Sequence, residues 1–485
     1  MRKPIEPQFK LGEINIADIQ FNPKDRDEIP QLLRGLQHIY CDPELREQVF
    51  TIMETGINQN RSGNTGRPGM ELWKILVFGT LRLNCDWDYD KLKEIADNHM
   101  TLRKMIGIGM MDDEIKFPLS TLRDNVRLLT PEMLEEINTL VVTDGHQLVK
   151  KNDEDVVLNG RCDSFVVETD VEYPTDRLLL FTAVRKLVEI CASSGIGGWR
   201  QAASLMKKLK KILRKVQKLN AAKSDDPAKK QQDEEKKQRV YTEYLDFSRK
   251  ILRRVDETSA AILLSCDTSL LIGIEHFKYH ADLQVDQITR RVFKGEKIPH
   301  AEKVFSVFQP HTRWIQKGKA GVPFELGLPV CIVEDQYGFI LHHCVMETEV
   351  DVDIAVPIIE KTKGLFPNLA SCSFDKGFHS PENQIALRKV LDSVILPKKG
   401  RLGKTAREHE STEEFQEARR RHSRVESAIN ALENHGLDRC LDHGLCGFKR
   451  YVALSVLARN VQQIGRLLLN REAERAKQRK ASKAA

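Results

Sequence analysis

Hydrophobic positions in the first third of the chain recur at helical intervals. Met70 to Leu83 is apolar on nearly every side, which predicts a buried helix, and Tyr89 to Asn98 follows the 3.6-residue period of an amphipathic one. Pro118 opens LSTLRDNVRLL, where Leu122, Val126 and Leu129 form an inward stripe and Thr121, Arg123, Asp124 and Arg127 face outward. Upstream of the turn sequence GNTGRPG, residues to about Arg67 mix short polar and apolar pieces and are expected to form an N-terminal arm. An all-α region of short helices with an Arg-bearing outer face suits a helix-turn-helix reader of DNA and a plain bundle equally.

From Asp155 the texture changes. VVLNGRCDSFVVETDVEY is Val-rich and strand-like, and it ends at a Pro-Thr-Asp helix start before LLLFTAVRKLVEI. Beyond SSGIGG a long, basic, largely helical stretch runs to about Phe293. It is broken by the low-complexity AAKSDDPAKKQQDEEKK, expected to be a loop between helices near Asp225 to Glu235. LPVCIVEDQYGFILHHCVM then predicts a hairpin turning at DQYG. Adjacent His342 and His343 should point to opposite faces of its second strand, one to the core and one to the surface. A helix at Ile354 to Lys363, a strand at ASCSFD, a helix from Ser380-Pro381 and the apolar SVILP follow. The last of this series is a helix over RRRHSRVESAINALENHG, closed by His435-Gly436.

This pattern predicts an N-terminal arm (1–66), a helical region that could bind DNA (67–150), a strand-bearing core in two parts (151–195 and 311–470), a helical basic insertion (196–310) and a basic tail (471–485). Composition refines the picture little. The 76 Lys and Arg against 70 Asp and Glu leave a formal charge of +6, but the surplus is concentrated. Residues 201–240 hold thirteen basic and five acidic groups, and residues 471–485 hold six and two, a distribution that matches a nucleic-acid footprint. Ten cysteines without a CxxC pair read as reduced thiols of a cytosolic protein. Neither a secretory signal nor an apolar run of membrane-spanning length is visible, so no membrane partner is expected.

Three acids stand out by position. Asp163 lies in the first strand, Asp375 ends a later one, and Glu426 projects from the last helix, off the Val425, Ala428, Ile429, Leu432 stripe and on a face with Arg419, His422 and Asn430. Carboxylates converging at strand ends can hold a pair of Mg2+ or Mn2+ ions for phosphodiester displacement. For Glu426 alone the bland alternative is an ion-pair lattice on a solvated helix. Strand, hairpin, helix, strand, helix, strand and helix in that order fit a mixed sheet of ribonuclease H type. Asp163 and Asp170 share the first strand region, and their odd seven-residue separation places them on opposite faces of a regular strand, so at most one should point at Asp375; Asp170 falls beyond the expected strand end, where it could cap a turn.

DSFVVETDVEYPTD, SFDKGFHSPEN and RHSRVESAINALENHGLDRCLDHGLCGFKRYVALSVLARNVQQIGRLL resemble the three catalytic segments of the DDE transposases of bacterial insertion sequences. KGKAGVPFELGLPV resembles the segment leading into their second strand, and GRPGMELWKILVFGTLR with FPLSTLRDNVRLL their N-terminal DNA-binding region. The resemblance implies a ribonuclease H-like core and Asp163, Asp375 and Glu426 as catalytic metal ligands. It further implies Mg2+ or Mn2+, and cleavage and strand transfer at terminal inverted repeats and target DNA by a synaptic homodimer. Many relatives place a tyrosine, an arginine and a lysine around the glutamate, where this chain has Arg419, His422 and Glu433.

Further candidates for DNA contact are Arg123 and Arg127 on the N-terminal helix, and Arg419, His422 and Arg424 around the glutamate. Trp314, with Lys317 and Lys319 close by, could stack on an extruded base or simply pack. The rival to a transposase is a catalytically silent descendant acting as a repressor or architectural DNA binder; a structure-specific nuclease on the same core is a third class.

Overall fold

The computed structural model describes residues 2–5, 12–22, 25, 27–59, 69–109, 111–112, 114–150, 156–219, 227–265, 268–316, 323–401 and 403–484. These fall into two compact units, one of residues 1–170 with 327–485 and one of residues 171–326.

The first unit begins with two helices where an arm is expected, α1 (Glu28–Cys41) and α2 (Pro43–Asn58). Asp27 and Asp42 cap them by accepting the Ile29 and Leu45 backbone N–H groups, and Pro43 sits at the first position of α2. Leu32, Leu33 and Leu36 of α1 are fully buried. Gly35 interrupts the sequence signal and makes the packing feasible: a Cβ there would lie 2.0 Å from the Val461 carbonyl oxygen, and one at Gly465 would lie 1.8 Å from that of Gln31. Val461 and Gly465 belong to α17 (Leu445–Ala484), whose first turns are buried on nearly all sides against α1, α3 (Leu72–Asn84) and α7 (Pro131–Val149). Short helices α4 (Tyr89–Asn98), α5 (Met100–Met105) and α6 (Leu119–Val126) complete an all-helical N-terminal region that shares one hydrophobic core with the sheet.

The mixed sheet has seven strands: β1 (Leu158–Thr169), β2 (Arg313–Gln316), β3 (Phe324–Glu334), β4 (Ile340–Val345), β5 (Leu369–Phe374), β6 (Ser393–Ile395) and β7 (Arg439–Cys440). Its order is β2-β3-β1-β5-β6, with β4 also on β3 and β7 also on β1. β1 is antiparallel to β3 and parallel to β5 over its first half, then parallel to β7 at Glu168 and Thr169. Helices α12 (Asp351–Leu365), α13 (Pro381–Val390), α14 (Lys404–Glu410), α15 (Glu413–His422) and α16 (Arg424–Leu432) fill the connections. Both His342 and His343 are buried, contrary to the expected split, because α7, α12 and α17 all pack on β4. Burial pushes both imidazoles down, His343 to about 4.

The second unit has its own core and consists of α8 (Asp176–Ser193), α9 (Ala202–Leu219), α10 (Pro227–Ser265), α11 (Thr268–Phe293), β2 and the start of β3. The helix after the first strand, α8, is expected with the core segment 151–195 but packs in the second unit, with Leu180, Ala183, Val184 and Leu187 buried there. Residues 227–237 of the expected loop are the first turns of α10; Pro227 starts the helix, and Lys, Gln and Glu are strong helix formers. The remainder of that segment, residues 221–226, lies outside the described residues.

Among the described residues no helix is long and apolar enough to cross a membrane.

Candidate active site

The candidate site lies where β1 outruns β5. The parallel register pairs Asn159 with Ser371, Arg161 with Ser373 and Cys162 with Phe374, so one further step sets Asp163 beside Asp375. Alternation sends Gly160, Cys162, Cys372 and Phe374 to the apolar core and Asn159, Arg161, Ser371 and Ser373 to the opposite, polar face. Asp163 continues that polar row. Past Asp163, β1 has no strand on this side until β7 begins at Arg439, and α16 packs across β1.

Glu426 stands in the first turn of α16 and is exposed, as is Asp375. The expected single helix through RRRHSRVESAINALENHG is broken at Ser423, whose hydroxyl donates to the Arg420 carbonyl at 2.8 Å and competes with the helical amide. Arg419 and His422 therefore belong to α15, and Arg424 and Glu426 to α16. The end at His435-Gly436 is as expected, with Gly436 at φ 92° after one wide turn.

Asp163 feels the whole group. Burial, and after it the charges of Asp375, Asp351 and Glu426, push its carboxyl up to about 6, against the Ser164 backbone N–H that favours the ionised form. The Ser164 N–H donates to Asp163 Oδ1 at 2.8 Å. Asp170 sits beyond the end of β1, exposed, 3.9 Å from Arg439, and does not join them. His422 lies between α15 and β5, its Nδ1 3.0 Å from Ser373 Oγ. Burial lowers its pKa while Asp375 and Glu426 pull the other way, so the ring is neutral near pH 7 and not a standing positive charge.

Among the described residues no three His, Cys, Asp or Glu side chains are drawn together closely enough to hold an ion as they stand. The donor set still fits a hard divalent cation. Asp163, Asp375 and Glu426 supply only carboxylate oxygens, none is in an ion pair with another described residue, and the charges of Asp375 and Glu426 bear on the half-buried Asp163 carboxyl, a repulsion that a cation would relieve.

The other predicted residues are scattered. Arg424 lines a cavity of about 410 Å³ on the polar sheet face with Arg161, Arg421, Ser371, Ser373 and Ser393. Arg419 is exposed on α15. Arg123 and Arg127 are exposed at the end of α6, Arg123 pairing with its neighbour Asp124 at 3.4 Å. Trp314 belongs to the second unit, where it stacks on Phe324 at 3.8 Å and lines a cavity of about 600 Å³ with Tyr173, Phe305, His300 and Lys303. Lys317 and Lys319 lie outside the described residues. Sequence reasoning missed Asp351 and Ser164, whose hydroxyl donates to Asp351 Oδ1 at 2.6 Å. An acid opening a helix in EVDVDIAVP reads as a favourable helix-start charge, which hides any other role.

No protein-family model, characterised protein or solved structure matches the chain.

Proposed function

We propose that the chain is a DDE transposase with a ribonuclease H-like core, acting on DNA at the inverted repeats of an insertion sequence. The observation that carries this reading is the adjacency of Asp163 and Asp375, where β5 ends beside the middle of the parallel strand β1, with the Glu426 charge acting on the half-buried Asp163 carboxyl. The sheet order supports it: a central β1 with an antiparallel hairpin on one side and parallel β5 and β6 on the other is the order expected of such a core.

Asp163, Asp375 and Glu426 would hold the Mg2+ or Mn2+ ions. Bound there, such ions lower the pKa of an attacking water or 3′-hydroxyl and stabilise the leaving oxygen. The protein's own part is to fix Asp163 through the Ser164 N–H and to keep His422, anchored on Ser373, where the relatives carry an arginine. Arg123 and Arg127, and the seven exposed Lys and Arg of α9, would meet DNA phosphates.

The second reading is the catalytically silent DNA binder, favoured by the absence of a gathered three-acid cluster among the described residues. One experiment separates them. Glu426→Gln should abolish metal-dependent cleavage of duplexes carrying the gene's flanking repeats while binding them nearly as before, because it keeps the shape and removes the charge. A wild-type protein that binds those duplexes and never cuts them, or a Glu426→Gln variant that cuts normally, contradicts the proposal.

A further inference from the structure

Asp351 lies outside the three-acid pattern, yet it touches both segments that carry the first two acids. Its Oδ1 accepts the Ser164 hydroxyl at 2.6 Å, and the same serine donates its backbone N–H to Asp163 Oδ1 at 2.8 Å. Its Oδ2 lies against Gly377, two residues past Asp375: a Cβ at that glycine would be 2.9 Å from the oxygen. The start of α12, which carries Asp351, is tied to the same turn. Asn383 of α13 donates to the Val352 carbonyl at 2.7 Å and to the Phe378 carbonyl at 3.0 Å. Asp351 is thus wedged between Asp163-Ser164 on β1 and Asp375-Lys376-Gly377 after β5.

We propose that Asp351 is a positioning residue that sets the spacing of Asp163 and Asp375, acting through the Ser164 hydroxyl on one side and the Gly377 backbone on the other. The inference rests on the metal-dependent reading given under Proposed function. A carboxylate at the first position of α12 that served only its helix would stabilise that helix end slightly, and its loss would leave cation binding alone. Partners that orient metal ligands behave differently: their removal costs about 10–100-fold in metal affinity.

The test is Mn2+ titration of the full chain without DNA, read by electron paramagnetic resonance. Asp351→Ala should weaken Mn2+ binding about tenfold. Asp351→Asn, which keeps an oxygen for the Ser164 hydroxyl, should recover most of that loss. Ser164→Ala should weaken binding too, and the double variant Ser164→Ala with Asp351→Ala should be no worse than Asp351→Ala alone, since both remove one shared hydrogen bond. In cleavage assays the Mg2+ concentration for half-maximal rate should rise while the saturated rate is largely kept. Unchanged Mn2+ affinity in Asp351→Ala, or fully additive losses in the double variant, overturns the proposal. If Asp351→Ala fails to fold, Ser164→Ala decides: affinity equal to wild type overturns it. The control is Asp163→Asn. Its loss of Mn2+ binding beside an unaffected Asp351→Ala refutes the positioning role alone, whereas Mn2+ binding equal to wild type refutes the metal site and the positioning role with it.

Discussion

Neutralising Asp163 should stabilise the metal-free protein, and the gain should grow with pH. Its carboxyl is raised from the ordinary value of 3.8 to about 6, chiefly by burial and then by the charges of Asp375, Asp351 and Glu426. A raised carboxyl binds its proton more tightly in the folded chain, so the contribution to stability is complete below about pH 4 and is lost as pH rises through about 6. At about 1.36 kcal/mol per pKa unit, the ionised group costs about 1.5 kcal/mol near pH 5 and about 3 kcal/mol near pH 7.5. Asp163→Asn, whose amide oxygen can still accept the Ser164 N–H, removes that cost. Native-state hydrogen exchange at the β1 amides would read it locally. Mg2+ at about 1,000 times its Kd should reverse the ranking, since it adds about 4.1 kcal/mol to the wild type and nothing to a variant that cannot bind it. A variant less protected than wild type near pH 7.5 without metal, or a difference that does not change with pH, would refute the electrostatic account of the site.

Gly465→Ala should destabilise the first unit by at least about 1–3 kcal/mol, measured by chemical denaturation, because its Cβ would meet the Gln31 carbonyl oxygen at 1.8 Å and force α1 off α17. Changing Lys207, Lys211, Arg214 and Lys218 together to Gln should flatten the salt dependence of DNA binding. They form one exposed stripe on a helix without acids, and each lost phosphate contact lowers the slope of log K against log salt by about 0.9. An unchanged slope would leave α9 a solvated face.

Much of the site was legible because its residues sit on regular elements. Asp163 and Asp375 could be placed from the alternation along DSFVVET and the stop of ASCSFD, and Glu426 from its position off an apolar stripe. What could not be read depends on contacts distant in sequence. Asp351 reaches Ser164 across 187 residues, and nothing in EVDVDI distinguishes it from an ordinary helix-opening acid. The break at Ser423 hides in a segment with an uninterrupted apolar period. α1 escaped detection because Gly35, which weakens the helix signal, is what lets α1 touch α17. The assignment of α8 to the second unit follows from which core its Leu and Val residues enter, and an amphipathic pattern does not specify its partner.

If Asp163 and Asp375 at the sheet and Glu426 on α16 make a DNA strand-transfer enzyme, the products of one incubation show it most directly. Purified protein, Mg2+ and end-labelled duplexes bearing the gene's flanking repeats are mixed with a supercoiled target plasmid. The expected products are 3′-hydroxyl nicks at the repeat ends and joined molecules in the plasmid, with neither from Asp375→Asn. Specific binding without nicks or joined products by the wild type, or equal products from Asp375→Asn, would contradict the proposal.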